Sequence, residues 1–232
     1  MKVLVIDDEK PTLSMFNLFL TAYGYDVSVA QDGEKGLEMF KTLSPDIVFT
    51  DIKMPGIDGL EVLRRIRQEN TDTQVIIITG HGDMEKALEA MDLNASDFIN
   101  KPVERQALNS ALARAEKRKE MGQDVKFTFT EVKEDRDLRV DLFGRMSGEN
   151  TLDFQDKIKA LEPQKTDRVR FVTRDGFSVT RKGIEGLIAV ARHLRGLQIK
   201  VRFENLPYNY ARMFQMAEMD KIADLIEEIL PE

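Results

Sequence analysis

Cysteine and tryptophan are absent from this chain, and only two histidines occur in 232 residues. Without cysteine there is no disulfide, no thiolate metal site and no cysteine nucleophile, and a reducing cytosol is compatible with the chain. Two histidines are too few for a His-based metal centre. No apolar run approaches the ~20 residues of a membrane span. Met1-Lys2 leads directly into an apolar segment closed by acids, not into a signal peptide. These absences predict a cytoplasmic protein with no membrane partner. Positive charge is also in deficit, and a formal net charge of −7 argues against general attraction to nucleic acid. The deficit is uneven, −6 before Met121 and −1 from there on. The second half is therefore near neutral but densely charged, which leaves room for a local basic face.

What is present suits two domains. The length exceeds what one compact domain usually needs, and 42% hydrophobic residues suffice for ordinary cores. The first half alternates short apolar strands with amphipathic helices. Strands are predicted at Val3–Ile6, Tyr25–Ala30, Ile47–Thr50, Val75–Ile78 and Phe98-Ile99. Helices are predicted at Pro11–Tyr23, Glu34–Leu43, Leu60–Gln68, Asp83–Met91 and Val103 to about Glu120. After Ala115 the helical pattern dissolves into Glu116-Lys117-Arg118-Lys119-Glu120, which reads as a helix end leaving the core for water. Such alternation implies right-handed crossovers and a parallel sheet covered on both faces.

Met121-Gly122-Gln123-Asp124 interrupts the pattern, and the expected division is a domain over 1–120, a linker over 121–124 and a second domain over 125–232. The second half opens with two alternating strands, Val125–Thr130 and Leu138–Phe143, joined by a turn at Glu134-Asp135-Arg136-Asp137. A helix at Thr151–Leu161, a strand at Val169–Val172, a helix at Ile184–Leu194 and a strand at Gln198–Phe203 follow. Two helices, Tyr208–Ala217 and Lys221–Leu230, are predicted to close the chain. This order describes a second α/β domain with a mixed sheet.

The chemistry concentrates at strand ends of the first half. The first strand ends in Asp7-Asp8, the third in Asp51, the fourth in Thr79, and Lys101-Pro102 follows the fifth. If these ends share one edge of a parallel sheet, three carboxylates, a hydroxyl and an ammonium converge where such sheets place ligands. Close carboxylates repel, and a hard cation relieves that repulsion. Mg2+ suits one or two carboxylates with waters and phosphate oxygens. Asp51 can then act as a nucleophile toward phosphorus, with Thr79 and Lys101 placed to meet phosphoryl oxygens.

On these residues the first half, Met1 to Glu120, resembles the receiver domain of bacterial two-component response regulators. The matching elements are Asp7-Asp8 after Val-Leu-Val-Ile, Asp51 in Thr-Asp-Ile-Lys-Met-Pro-Gly-Ile-Asp-Gly, Thr79 in Ile-Thr-Gly-His-Gly, and Lys101-Pro102. The resemblance implies a flavodoxin-like (βα)5 doubly wound parallel sheet of strand order 2-1-3-4-5. It implies Asp51 as phosphoacceptor and Asp8, Asp51 and the Lys53 backbone carbonyl as Mg2+ ligands, with Asp7 acting through water. It also implies that Phe98 rotates with Thr79 on activation, and that the Lys101-Pro102 peptide bond is cis. Lys53 and His81 occupy positions that, in this family, influence water access to the phosphoryl group. Two bulky groups there are expected to slow hydrolysis.

In the second half, Leu142-Phe143-Gly144-Arg145-Met146-Ser147, Arg168-Val169-Arg170-Phe171-Val172, Gly183-Ile184-Glu185-Gly186-Leu187-Ile188, Ile199-Lys200-Val201-Arg202-Phe203 and Asn205-Leu206-Pro207 resemble a STAS domain over about Val125–Leu230. That is the module of anti-sigma factor antagonists and of sulfate-transporter tails. One departure matters. The antagonists carry a phosphorylatable Asp-Ser before the glycine of the central helix, and this chain has Thr180-Arg181-Lys182 before Gly183. Arg181 and Lys182 put positive charge at a helix start, against the helix dipole. They become candidates for meeting an acidic partner, beside the bland reading of a solvated helix end.

The expected function is a signalling adaptor. A sensor histidine kinase or small donor phosphorylates Asp51, and a STAS-like output domain binds a downstream protein, such as an anti-sigma factor or serine kinase, in a sigma-factor partner switch. Homodimerisation on phosphorylation is a further expectation. Catalysis is limited to the domain's own phosphorylation and dephosphorylation. The competing reading is a DNA-binding transcriptional response regulator, with Arg174, Arg181, Lys182, Arg192 and Arg195 as a basic stripe, although no helix-turn-helix pair is evident.

Overall fold

The computed structural model describes residues 1–232 apart from 71, 81, 82, 123, 124, 161–164 and 229–232. The chain divides into two compact units, Met1–Gln123 and Asp124–Glu232. In the first, strands β1 (Lys2–Ile6), β2 (Asp26–Ala30), β3 (Ile47–Asp51), β4 (Gln74–Thr79) and β5 (Asp97–Asn100) alternate with helices α1 (Lys10–Ala22), α2 (Gly33–Leu43), α3 (Gly59–Glu69), α4 (Met84–Asp92) and α5 (Arg105–Met121). The sheet is parallel throughout, in the order β2-β1-β3-β4-β5. That is the flavodoxin-like order the resemblance implied.

The local reasons are chemical. β3 and β4 are buried along their whole length, as expected of strands lying between two helical layers. The side chain of Asp32 caps α2 by accepting from Lys35 N at 2.7 Å, and that of Asp58 caps α3 by accepting from Glu61 N at 2.8 Å. Leu13, Phe16 and Leu20 form the buried stripe of α1, and burying each such side chain is worth ~1.5–3 kcal/mol.

The end of α5 departs from expectation. Arg118 is only 4% exposed and donates to Asn94 Oδ1 at 3.0 Å. Lys119 pairs with Asp46, and Glu116 accepts the Tyr25 hydroxyl at 2.7 Å. Glu116 and Arg118 therefore stay against the sheet's lower edge, where specific partners replace the lost apolar stripe, while Lys119, Glu120 and Met121 are exposed as expected.

The second unit holds β6 (Thr128–Glu134), β7 (Asp137–Phe143), β8 (Arg145–Met146), α6 (Gly148–Lys159), β9 (Arg168–Thr173), β10 (Ser178–Val179), α7 (Arg181–Gly196), β11 (Lys200–Leu206), α8 (Tyr208–Met216) and β12 (Asp224–Glu227). Its main sheet runs β12-β11-β9-β7-β6, antiparallel only between β6 and β7, so it is mixed. The two-residue strands β8 and β10 pair with each other and were too short to read from sequence.

The predicted closing helix over Lys221–Leu230 is corrected. Met219–Lys221 is a single 3-10 turn, and Asp224–Glu227 is an edge strand paired parallel to β11. Ile222, Leu225 and Ile226 gave a helical spacing, but the free edge of β11 supplied backbone partners that overrode it, including Glu228 N to Leu206 O at 2.7 Å. Leu230 lies outside the described residues.

One face of this sheet carries the core. Phe154 of α6 meets Phe171 at 5.9 Å between ring centroids, Phe171 stacks on Phe203 at 5.1 Å, and Phe203 meets Phe214 of α8 at 5.5 Å. Strand alternation sends Arg139, Arg170 and Arg202, which stand in register, to the opposite face. Acids interleave with them: Arg170 reaches Glu134 at 2.9 Å, and Arg139 reaches Asp141 at 3.3 Å.

Candidate functional site

Because the first sheet is parallel, the carboxyl ends of its strands lie along one edge. β1 runs out into Asp7, β3 ends on Asp51, β4 ends on Thr79, and Lys101 follows β5. Asp51 stands opposite Ile78, one residue before Thr79, and the Lys101 N–H donates to the Thr79 carbonyl at 2.7 Å. The Lys101–Pro102 peptide is cis, as the resemblance implied. A close backbone approach seats the loop after β3. A Cβ added to Gly59 would lie 2.2 Å from the Asp51 carbonyl oxygen, so only glycine lets α3 start there.

The side chains converge. Asp7 and Asp51 are 0% and 5% exposed, Asp8 is exposed, and one carboxylate oxygen from each lies within 4.8 Å of the others. Lys101 Nζ sits 2.9 Å from Asp51 Oδ2, 3.1 Å from Asp7 Oδ2 and 3.0 Å from Glu9 Oε2. Burial opposes the charge on Lys101, but its hydrogen bonds to Asp51 and Glu9 and its ion pair with Asp7 outweigh it and raise its pKa. Burial also raises the Asp7 carboxyl, only partly offset by the Glu9 N–H and Lys101. Hydrogen bonding to Lys101 lowers Glu9.

One ammonium among four carboxylates leaves the rim short of positive charge. Asp7 Oδ2 meets Lys101 without hydrogen-bond geometry, so it keeps a lone pair for another cation. The buried Thr79 hydroxyl has no hydrogen-bond partner among the described residues. These residues fit a divalent cation beside a phosphoryl group: Asp7, Asp8 and Asp51 as oxygen donors for Mg2+, and Thr79 and Lys101 as donors toward an oxyanion. When bound, Mg2+ would offset the negative charge that carboxylates and phosphoryl oxygens bring together.

Other expected residues are placed as follows. Phe98 is 1% exposed, its ring in the interior. Lys53 directs its ammonium to Asp83 Oδ2 at 2.7 Å, on the loop before α4. His81 lies outside the described residues. Arg181 and Lys182 belong to the second unit, as the first two residues of α7. Thr180 caps that helix, its hydroxyl accepting from Gly183 N at 3.2 Å. The Lys182 methylenes run over Gly148. Glu9 and Asp83 were missed. Glu9 follows Asp7-Asp8 directly, which was signal enough; Asp83 read only as a helix-start acid.

A buried carboxylate at the end of a central parallel strand, flanked by two acids and a lysine, defines a phosphoacceptor-type site. Residues 3–113 match the family model of the response regulator receiver domain, and this part of the chain is a receiver domain. The chain is 36% identical over 113 residues to the transcriptional regulatory protein FixJ of Bradyrhizobium diazoefficiens, covering 49% of this chain and 55% of that one. It is 31% identical over 125 residues to the regulatory protein AtoC of Escherichia coli, covering 54% and 27%. The chain thus spans about half the length, or less, of these curated relatives. The crystal structure of a response regulator receiver domain protein from Clostridium thermocellum aligns at 39% identity and a TM-score of 0.50, covering 52% of this chain and 97% of that one. The region beyond residue 113 is not assigned by the family model.

Proposed function

We propose that this chain is a two-component response regulator in which Asp51 takes a phosphoryl group from a sensor histidine kinase, or from a small phosphodonor, and the second unit delivers the output. The observation that carries this is the contact of Lys101 with Asp51 inside the Asp7–Asp8–Asp51 cluster. An Asp51 oxygen attacks phosphorus, a new P–O bond forms, and the donor's P–N or P–O bond breaks with the electron pair leaving on the donor. Lys101, now on Asp51 itself, swings onto a phosphoryl oxygen, and the unpartnered Thr79 hydroxyl donates to another. Moving Thr79 frees space for Phe98, and the α4-β5-α5 face changes shape.

The second unit is read as a STAS-like output domain. Support comes from its leading hairpin, the parallel crossovers that follow, and the tight seat of Gly183, where a Cβ would lie 2.6 Å from the Met146 carbonyl oxygen. In the place of the family's serine switch stands a basic pair, and the neighbouring Thr180 hydroxyl is already used as a helix cap. Control by phosphorylation would then reside in Asp51 alone, with a downstream protein bound or released by the output domain in a sigma-factor partner switch. The DNA-binding alternative draws on the printed description of FixJ as a transcriptional regulator. That match spans 113 residues, 49% of this chain, and among the described residues each α-helix of the second unit is separated from the next by a strand.

The test is capture of partners on the full chain with and without beryllofluoride and Mg2+, alongside a salt-dependent gel shift with DNA. A protein retained differently in the two states is expected. Equal retention of every partner removes the proposed coupling.

A further inference from the structure

A second cluster of cations lies far along the sequence from the receiver site. Arg168 at the start of β9, Lys200 and Arg202 on β11, Arg195 near the end of α7 and Lys221 on the 3-10 turn surround a cavity of about 350 Å³. Two carboxylates, Asp220 and Asp224, complete its polar rim. That volume is at the lower end of small-molecule sites, which run from ~300 to 1,000 Å³.

The cations are incompletely used. Arg195 and Lys200 form no ion pair among the described residues. Arg168 reaches Asp137 at 3.3 Å, and Arg202 reaches Asp224 at 3.4 Å and Glu204 at 3.9 Å, separations longer than a charge-assisted hydrogen bond prefers. Only Lys221 is tightly held, by Glu218 at 2.6 Å. Loose guanidinium pairs are easily exchanged for the bidentate geometry of a phosphate.

We infer that this cavity binds a small phosphorylated molecule, with Arg168, Lys200 and Arg202 on its phosphate oxygens and Arg195 closing the mouth. Among the described residues the apolar lining is limited to Val201, Ile222 and Ala223, with no aromatic ring to stack on a base. The recognised chemistry is therefore a compact di- or polyphosphate group, not a nucleobase. The output domain would then carry its own small-ligand input, separate from Asp51.

Calorimetric titration of pyrophosphate into the full chain, without divalent cation, tests this. Wild type is expected to bind at one site. Arg195→Ala/Lys200→Ala is expected to weaken that binding by roughly tenfold or more, while phosphoryl incorporation at Asp51 stays at the wild-type level. Arg202→Gln, which removes the guanidinium lining the cavity, is expected to lose affinity similarly. Lys101→Ala controls for the receiver rim and should leave this binding intact. Absence of saturable binding in wild type, or equal binding by Arg195→Ala/Lys200→Ala, or loss in Lys101→Ala alone, would each overturn the assignment.

Discussion

Lys101 sits in an environment that sets two opposing demands. Its ammonium holds Asp7, Glu9 and Asp51 together at about salt-bridge distance, and it also repels any cation brought to the same oxygens. Removing it should therefore raise Mg2+ affinity while impairing use of the phosphoryl group. Lys101→Ala is expected to bind Mg2+ about 1 kcal/mol more tightly, roughly fivefold, by calorimetry. Weaker binding would mean that Lys101 chiefly organises the carboxylates. Asp51→Asn is expected to abolish incorporation of an alkali- and hydroxylamine-labile phosphoryl group from a small phosphodonor. Lys53 offers a rate test. Its ammonium is tied to Asp83 near the rim, and Lys53→Ala is expected to speed dephosphorylation severalfold by admitting water. An unchanged rate would exclude Lys53 from that role.

At the scale of elements, α3 and α5 are fixed by different means. The start of α3 depends on a glycine against the Asp51 backbone, where an added methyl has nowhere to go. Gly59→Ala is expected to cost ~1–3 kcal/mol in stability by overpacking, and to slow phosphorylation because Asp51 itself must shift. The far end of α5 is fixed by charge. Burial alone would raise the Asp46 carboxyl, but Lys119 and the Lys2 N–H outweigh it and hold the pKa below its usual value. A carboxyl lowered by folding stabilises above the unfolded value, and this contribution is lost as pH falls through the folded one. Lys119→Ala should flatten that part of the acid-unfolding curve and cost no more than ~0.5–1 kcal/mol at neutral pH, since the pair is partly exposed.

At the scale of the molecule, each unit closes a core of its own. The receiver core is built on the fully buried β3 and β4, and the other on the Phe154–Phe171–Phe203–Phe214 series. A chain ended at Gly122 is accordingly expected to fold, and to take phosphoryl at a rate close to that of the full protein. Failure to give a cooperative unfolding transition would show that the second unit is needed for the first. Much of this plan was readable. Strand-ending acids such as Asp7 and Asp51 were readable only together: one alone reads as a turn residue or helix cap, but Asp7, Asp8, Asp51, Thr79 and Lys101 at successive strand ends do not. Arg118 was not readable, since a basic residue in a charged run looks solvated until Asn94 is brought beside it from another element.

Local sequence determined the alternation of strands and helices, the caps at Asp32 and Asp58, and the order of Asp7, Asp8, Asp51, Thr79 and Lys101 along the chain, because each rests on short-range periodicity or on side chain-to-backbone bonds a few residues apart. Tertiary structure decided the rest. It turned the end of the chain from a helix into the edge strand β12, gathered Glu9 into the Lys101 cluster, and drew cations from β9, α7, β11 and the 3-10 turn around one cavity. Those outcomes depend on open sheet edges and on charges distant in sequence meeting in space, and neither leaves a local trace.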